Sequence, residues 1–308
     1  MKHATVTDIT AAVLREWPLP QPSFDGDKEV RGHILIVGGS REMPGAVILA
    51  ATAALRAGAG KLTIATAASV APLVALAIPE SRVIALAETA AGGFTAEAAR
   101  KLAELHGKAD ALLIGPGMQD DAAAAELVLA LLPRFGGTRI IIDAAAMNAV
   151  RPGREPHLLE ETSGREHFRF SEPVLLTPHA GELAHLCGRG KDDINEDPQQ
   201  AAKEAADRWN AVVALKGATT VIAAPGGALW QHQGGNVGLA ISGSGDTLAG
   251  IIAGLAARGA TLEQAAAWGV ALHASAGEQL SLRFGVLGYL AREISAEVPA
   301  LLRTLAPA

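Results

Sequence analysis

The residues best suited to chemistry lie in Gly243-Ser244-Gly245-Asp246, where small residues give way to a carboxylate and then to the apolar stretch 247–257. Glycines leave main-chain N–H groups unscreened by a Cβ, and a helix start adds unpaired amides and the positive end of its dipole. Gly243, Ser244 and Gly245 therefore read as an anion hole sized for a phosphate. Asp246 also stands where a plain helix N-cap would. As a carboxylate at a positive helix end it is expected to keep a low pKa, which makes it a weak base toward an alcohol. It can still take that proton late, as the oxygen bonds to phosphorus. In the loose transition state of phosphoryl transfer, positioning matters more than nucleophile activation. Asp246 thus suits phosphoryl transfer to a hydroxyl better than proton abstraction from carbon. The small-residue run Gly250-Ile251-Ile252-Ala253-Gly254 implies close backbone approach to something.

A second cluster is Leu215-Lys216-Gly217-Ala218-Thr219-Thr220, leaving a β-branched run. Lys216 at a strand's C-terminal end can grip phosphate or ribose oxygens at the open edge of a sheet, or be a solvated charge. No GxxxxGK[ST] occurs, no GxGxxG follows a strand, and no GxSxG is present, so a P-loop, a dinucleotide fingerprint and a nucleophile elbow are all missing. A third cluster is Leu176-Thr177-Pro178-His179-Ala180-Gly181-Glu182. It sets His179 and Glu182 one helical turn apart, and Glu182 can hold Mg2+ through water, as carboxylates near nucleotide phosphates do. His185 falls about 240° around a helix from His179, so a three-ligand zinc site is not expected. Cys187 has no activating neighbour and reads as a buried structural thiol.

The elements that must position these groups follow from periodicity. Short β-branched runs at 33–37, 61–65, 82–86, 111–114, 139–142, 174–176 and 212–215 alternate with helical stretches. The helices are expected at 44–57, near 69–77, 95–105, 121–132, 181–186, 199–209, 246–257 and 262–280. That alternation predicts an α/β protein with a mostly parallel sheet covered on both faces. Residues 220–223 and 228–231, joined through Pro225-Gly226-Gly227, predict a hairpin at the sheet edge. The charged stretches 151–172 and 189–198 read as solvated surface loops. No linker or composition shift divides the chain, so one domain, 1–308, is expected.

Composition removes several classes of function. Lys and Arg total 26 against 32 Asp and Glu, a net charge of −6 with no basic block, which disfavours backbone-driven nucleic-acid binding. Thr5, Thr7, Asp8 and Thr10 interrupt the N-terminus, unlike a secretory peptide, and no apolar run nears the roughly 18 residues of a membrane span. The single cysteine cannot form an intrachain disulfide, as suits a reducing cytosol. A cytoplasmic protein without nucleic-acid or membrane partners is expected.

Taken together the motifs resemble one family, the NAD(P)H-hydrate dehydratases of the ribokinase-like superfamily. The resemblance runs from about Leu14 to Leu302. It is carried by Gly38-Gly39-Ser40 with Met43-Pro44-Gly45-Ala46, Arg56-Ala57-Gly58-Ala59-Gly60-Lys61, Ile114-Gly115-Pro116-Gly117, Asp143-Ala144, the 177–182 motif, Lys216-Gly217 and Gly243-Ser244-Gly245-Asp246. Sugar and vitamin kinases of the superfamily tend to carry Asn where His179 stands. The resemblance implies a ribokinase-like three-layer α/β/α sandwich and a repair reaction. NADH or NADPH hydrated across C5–C6 is phosphorylated on its C6 hydroxyl from ADP or ATP, with Mg2+, and loss of phosphate restores the double bond.

By the same resemblance Asp246 is the catalytic residue at the hydrate. Ala46, Gly117 and His179 line the hydrate pocket, while Lys216, Gly217, Ala218, Thr219, Thr220 and Gly245 lie on the nucleotide. A homo-oligomer, often a tetramer, and a separate epimerase are implied too. Two departures stand out. Ser242 replaces a glycine before the anion hole, which matters if that position needs φ > 0, and Asp143-Ala144-Ala145-Ala146 replaces the more usual Asp-Ala-Asp/Gly-Ala. The competing readings are an ATP-dependent small-molecule kinase of the same fold, whose phosphate ester would be stable, and a non-catalytic nucleotide sensor.

Overall fold

The computed structural model describes residues 6–22, 28–151 and 168–305. Most of the expected 151–172 loop therefore lies outside the described residues. Among the described residues ten strands form one sheet: β1 (Val6–Asp8), β2 (His33–Val37), β3 (Lys61–Ala67), β4 (Arg82–Leu86), β5 (Ala111–Ile114), β6 (Arg139–Ile142), β7 (Val174–Leu176), β8 (Ala211–Leu215), β9 (Thr219–Ala223) and β10 (Leu229–Gln233). Their order is β1-β10-β9-β8-β7-β6-β5-β2-β3-β4. The strands from β8 through β4 are parallel, and β9 is antiparallel to both β8 and β10. β2 thus stands between β5 and β3. The chain winds outward from it in both directions, which opens a crevice at the carboxyl ends of β2 and β5.

Among the described residues eleven α-helices accompany the sheet: α1 (Ala11–Glu16), α2 (Pro44–Arg56), α3 (Ala71–Ala77), α4 (Glu97–Ala103), α5 (Asp121–Leu131), α6 (Ala180–Cys187), α7 (Lys191–Glu196), α8 (Pro198–Trp209), α9 (Ser244–Ala257), α10 (Leu262–Phe284) and α11 (Ala291–Leu305). Strand residues alternate between the faces. Leu35, Val37, Leu112 and Ile114 join α4, α5, α6 and α8 in one core. Ile34, Ile36, Leu113 and Ile141 join α2, α9 and α10 in the other. The result is a three-layer α/β/α sandwich, as expected. Among the described residues no helix is long and apolar enough to cross a membrane.

Two sequence expectations are corrected, and three elements were not expected at all. Residues 189–198 are not a plain loop: they contain α7, because Asp193 accepts the Gly190 amide at the helix start and Ile194 is fully buried. The predicted hairpin, β9–β10, is not at the edge, because β1 pairs with β10 and takes that place. The last helix, α11, was not expected although its buried Ala291, Ile294 and Val298 recur every three to four residues, and the first elements, β1 and α1, are at 3 and 6 residues too short for a periodic signal. They are held instead by neighbours already in place, as where Trp17 stacks on Trp230 and its carbonyl accepts from Trp268.

Candidate functional site

Glycines at the strand ends let the loops of the crevice touch. The Gly39 amide donates to the Pro116 carbonyl at 2.7 Å, and a Cβ on Gly38 would meet that same oxygen at 2.4 Å. Gly117 has φ +66, and a Cβ there would lie 2.6 Å from the Met43 carbonyl and 2.7 Å from the Ala46 Cβ. Two of the expected pocket residues, Ala46 and Gly117, are therefore immediate neighbours.

Helices α2 and α9 bring Ala46 toward Asp246. A Cβ on Gly250 would stand 2.2 Å from the Ala50 carbonyl, and one on Gly254 would stand 2.5 Å from the Ala54 carbonyl. The small-residue run of α9 thus meets a helix rather than a ligand. The matched pairs 50/250 and 54/254 show that the two helices run parallel, and one turn earlier in that register stand Ala46 and Asp246.

The expected anion hole of Gly243, Ser244 and Gly245 is shifted by the structure toward Gly245 and Asp246, because the Ser244 amide is already taken. Gly243, at φ +87, is the residue before α9, so the N-cap is a glycine and Asp246 sits at the third helical position with no capping role. Ser242 is not among the residues with positive φ, so the serine there carries no backbone strain. The Ser244 amide is bonded to the Ile241 carbonyl, while the amides of Gly245 and Asp246 find no acceptor among the described residues. Two N–H groups and a helix dipole are left facing outward.

Around this hole the structure gathers charge. Asp143, at the end of β6, is 3% exposed and accepts from Thr177 Oγ1 at 2.6 Å. Lys216, following β8, sets its Nζ 3.5 Å from Asp143 Oδ1 and 3.7 Å from Glu182 Oε2. A Cβ on Gly245 would be 3.6 Å from the same Nζ, which places the ammonium over the hole. Burial favours neutral lysine, but Asp143, Glu182 and, less strongly, Asp246 outweigh it and hold the Lys216 pKa above its ordinary value. Lys216 is thus no solvated charge.

The pKa expected for Asp246 is corrected. Burial first, and the neighbouring Asp143 carboxylate second, push it from its ordinary 3.8 up to about 6, against the pull of Lys216. A helix dipole contributes roughly 0.3–1 kcal/mol at such a position, less than one pKa unit, so desolvation beside a like charge prevails. The carboxyl is a better proton acceptor than its position in the sequence implied.

His179 is the N-cap of α6. Its Nδ1 accepts from the Gly181 and Glu182 amides at 3.0 and 3.2 Å, and Glu182 Oε2 accepts the His179 amide at 2.7 Å. Nδ1 does here what an asparagine oxygen does at a cap. Glu182 commits Oε2 to these contacts, and Oε1 accepts no hydrogen bond from the described residues. A carboxylate with one free oxygen beside a phosphate-sized hole fits Mg2+, which keeps most of its waters and takes few protein ligands. His185 is exposed and takes no part, and among the described residues no cluster of three or more His, Cys, Asp or Glu could hold a metal by itself. Cys187 is half-buried, and burial pushes its thiol up, as befits an unreactive cysteine. Gly217 and Ala218 form the exposed β8–β9 turn beside the hole, with Thr219 and Thr220 opening β9.

Residues 34–300 match the family described as NAD(P)H-hydrate dehydratase. The chain belongs to the NAD(P)H-hydrate dehydratase family. It is 48% identical over 305 residues to the ADP-dependent (S)-NAD(P)H-hydrate dehydratase of Xanthomonas campestris, covering 99% of each chain. It is 40% identical over 297 residues to a bifunctional NAD(P)H-hydrate repair enzyme of Moorella thermoacetica, where it spans 54% of that protein. Among solved structures, the ADP/ATP-dependent NAD(P)H-hydrate dehydratase of Bacillus subtilis, co-crystallized with ATP/Mg2+, superposes with a TM-score of 0.80 at 30% identity, over 98% of this chain and 100% of that one. A ribokinase-like superfamily protein of Enterococcus faecalis gives 0.81 at 27% identity, over 99% and 98%. The ribokinase-like fold expected from the motifs is thus the fold observed.

Sequence reasoning carried Asp143 and Thr177 only as parts of motifs, yet in this dehydratase fold they hold Lys216 in place. It also missed His273, whose only signal is a polar residue inside the apolar run Val270-Ala271-Leu272 of α10.

Proposed function

We propose that this protein restores NADH and NADPH from their C6 hydrates, using ADP, with ATP able to serve. The observation that carries the reading is Asp246: a carboxyl with its pKa at about 6, next to two unpaired amides and the Lys216 ammonium. A hydrate hydroxyl set against Asp246 attacks the terminal phosphorus of the nucleotide, and the bond from that phosphorus to the leaving phosphate oxygen breaks. Asp246 Oδ takes the hydroxyl proton as the new O–P bond forms. The amides of Gly245 and Asp246 receive charge developing on the phosphoryl oxygens, and Lys216 screens it. Loss of phosphate from C6 and of a proton from C5 then restores the double bond.

Ala46, Gly117 and the exposed ring of His179 line the side of the crevice given to the hydrate. Lys216 through Thr220 and Gly245 line the side given to the nucleotide. Glu182, through water, would hold Mg2+, which neutralises phosphate charge when bound. The protein is proposed to act in the cytoplasm as one domain and as a homo-oligomer, a tetramer, beside a separate epimerase.

The test is incubation with prepared hydrate and ADP or ATP. Recovery of reduced-nicotinamide absorbance with stoichiometric phosphate release is expected. Accumulation of a stable phosphate ester would instead establish the small-molecule kinase, and nucleotide binding without turnover the sensor.

A further inference from the structure

His273 lies buried in α10 with its ring against the first turn of α9. Its Nε2 is 2.9 Å from Ser244 Oγ and 3.2 Å from the Ser244 carbonyl oxygen. A carbonyl oxygen can only accept, so the shared geometry requires the proton on Nε2. Burial lowers the His273 pKa to about 4, against the bond to Ser244, and Lys216 lowers it further, so the ring is neutral at physiological pH. A neutral, singly protonated imidazole thus donates to both oxygens of one residue.

The Ser244 carbonyl belongs to the same planar peptide as the Gly245 N–H, and in a trans peptide the two point in opposite directions. Fixing that oxygen toward α10 fixes the Gly245 amide toward the anion hole. Such a tether has a reason here. Gly243 and Gly245 flank Ser244, and a helix start between two glycines retains backbone freedom that a preorganised hole cannot tolerate.

We propose that His273 is a positioning residue for the phosphoryl transfer: by holding the Ser244–Gly245 peptide it keeps the Gly245 amide aimed at the transferring phosphoryl group. The inference rests on the anion-hole reading above. It makes no contact with substrate and concerns the transition state more than ground-state nucleotide binding.

The test compares His273→Leu, which keeps bulk without a donor, with His273→Gln, whose side-chain amide nitrogen reaches about as far as Nε2. Hydrate turnover, ADP affinity by calorimetry and melting temperature are measured on each. His273→Leu is expected to lower kcat by about 10–100-fold with nucleotide KM changed less than about threefold, and His273→Gln to recover most of that rate. Nitrogen NMR of the wild-type protein is expected to show the Nε2-protonated tautomer. Wild-type kcat in His273→Leu, parity of Leu and Gln, or an Nδ1-protonated ring overturns the proposal. If His273→Leu does not fold, His273→Asn, too short to reach, replaces it with the same expectations. Wild-type protein that turns over no hydrate would sink the dehydratase reading instead, which an active wild type with equivalent variants would not.

Discussion

Replacing Asp246 by Asn should abolish most activity and yet raise stability. The carboxyl titrates at about 6 in the folded protein against an ordinary 3.8. At about 1.4 kcal/mol per pKa unit, keeping it ionised at neutral pH costs the folded state up to roughly 3 kcal/mol. Partial solvent access reduces this, so a gain of about 1–3 kcal/mol is expected from an amide that never ionises. The sign follows from proton counting. Below about pH 4 the carboxyl is protonated in both states and contributes no difference. Between about 4 and 6 the folded protein keeps a proton that the unfolded chain has released, so wild-type stability falls as pH rises through that window. Above about 6 the full penalty stands. Asp246→Asn should therefore melt several degrees higher than wild type near pH 8, at roughly 2–4 °C per kcal/mol for a chain of this size, with the gap closing toward pH 4. Hydrate turnover should drop by about 10²–10⁴-fold while ADP still binds. A variant that melts at or below wild type near pH 8, a gap independent of pH, or near-normal turnover would refute the reasoning.

Lys216→Ala should raise the nucleotide KM and also lower kcat, because the ammonium serves both the bound phosphates and the charge that develops on them. It should also destabilise by about 2–4 kcal/mol in urea unfolding, since Asp143 is left buried beside Glu182 without its cation. His179→Asn should keep the α6 cap and change stability by less than about 0.5 kcal/mol, whereas His179→Val should cost about 1–2 kcal/mol, read from thermal melts. Gly250→Val should destabilise by more than about 2 kcal/mol, because its Cβ would meet the Ala50 carbonyl at 2.2 Å and force α2 off α9.

What the sequence made legible divides along physical lines. Parallel strands such as β2, β5 and β6 are short apolar runs between helices, and that alternation already implied a mostly parallel sheet covered on both faces. A helix start with unpaired amides was legible from Gly243 and Gly245, although which amides stay free was not, since that depends on the Ser244 bond to Ile241. The helix α7 was not, because five charged and polar residues hide one buried contact, Ile194. Nor was the Asp246 pKa. That value depends on Asp143, which lies more than a hundred residues away in the chain and is brought near only where α9 packs against the end of β6. Ala144 shows the same limit: it occupies a left-handed φ of +49, a strained place directly after Asp143 that no residue type there announces.

The charge balance of the site sets a further expectation for the bound state. Asp143, Glu182 and Asp246 face one ammonium, Lys216, so the crevice already carries excess negative charge before an anionic nucleotide enters. Added phosphate charge near Asp246 disfavours its ionisation, by the same rule that lets Asp143 raise it. The acid limb of kcat, which reports the bound complex, should therefore lie at higher pH than the limb of kcat/KM, which reports free enzyme near about 6. Raising free Mg2+ should move the kcat limb back down, because a cation on the phosphates cancels the charge that Asp246 feels. The measurement is a pair of pH profiles at low and high Mg2+ with saturating hydrate. If the two limbs coincide at both concentrations, the phosphates do not lie near Asp246 and the placement of the nucleotide beside it is wrong.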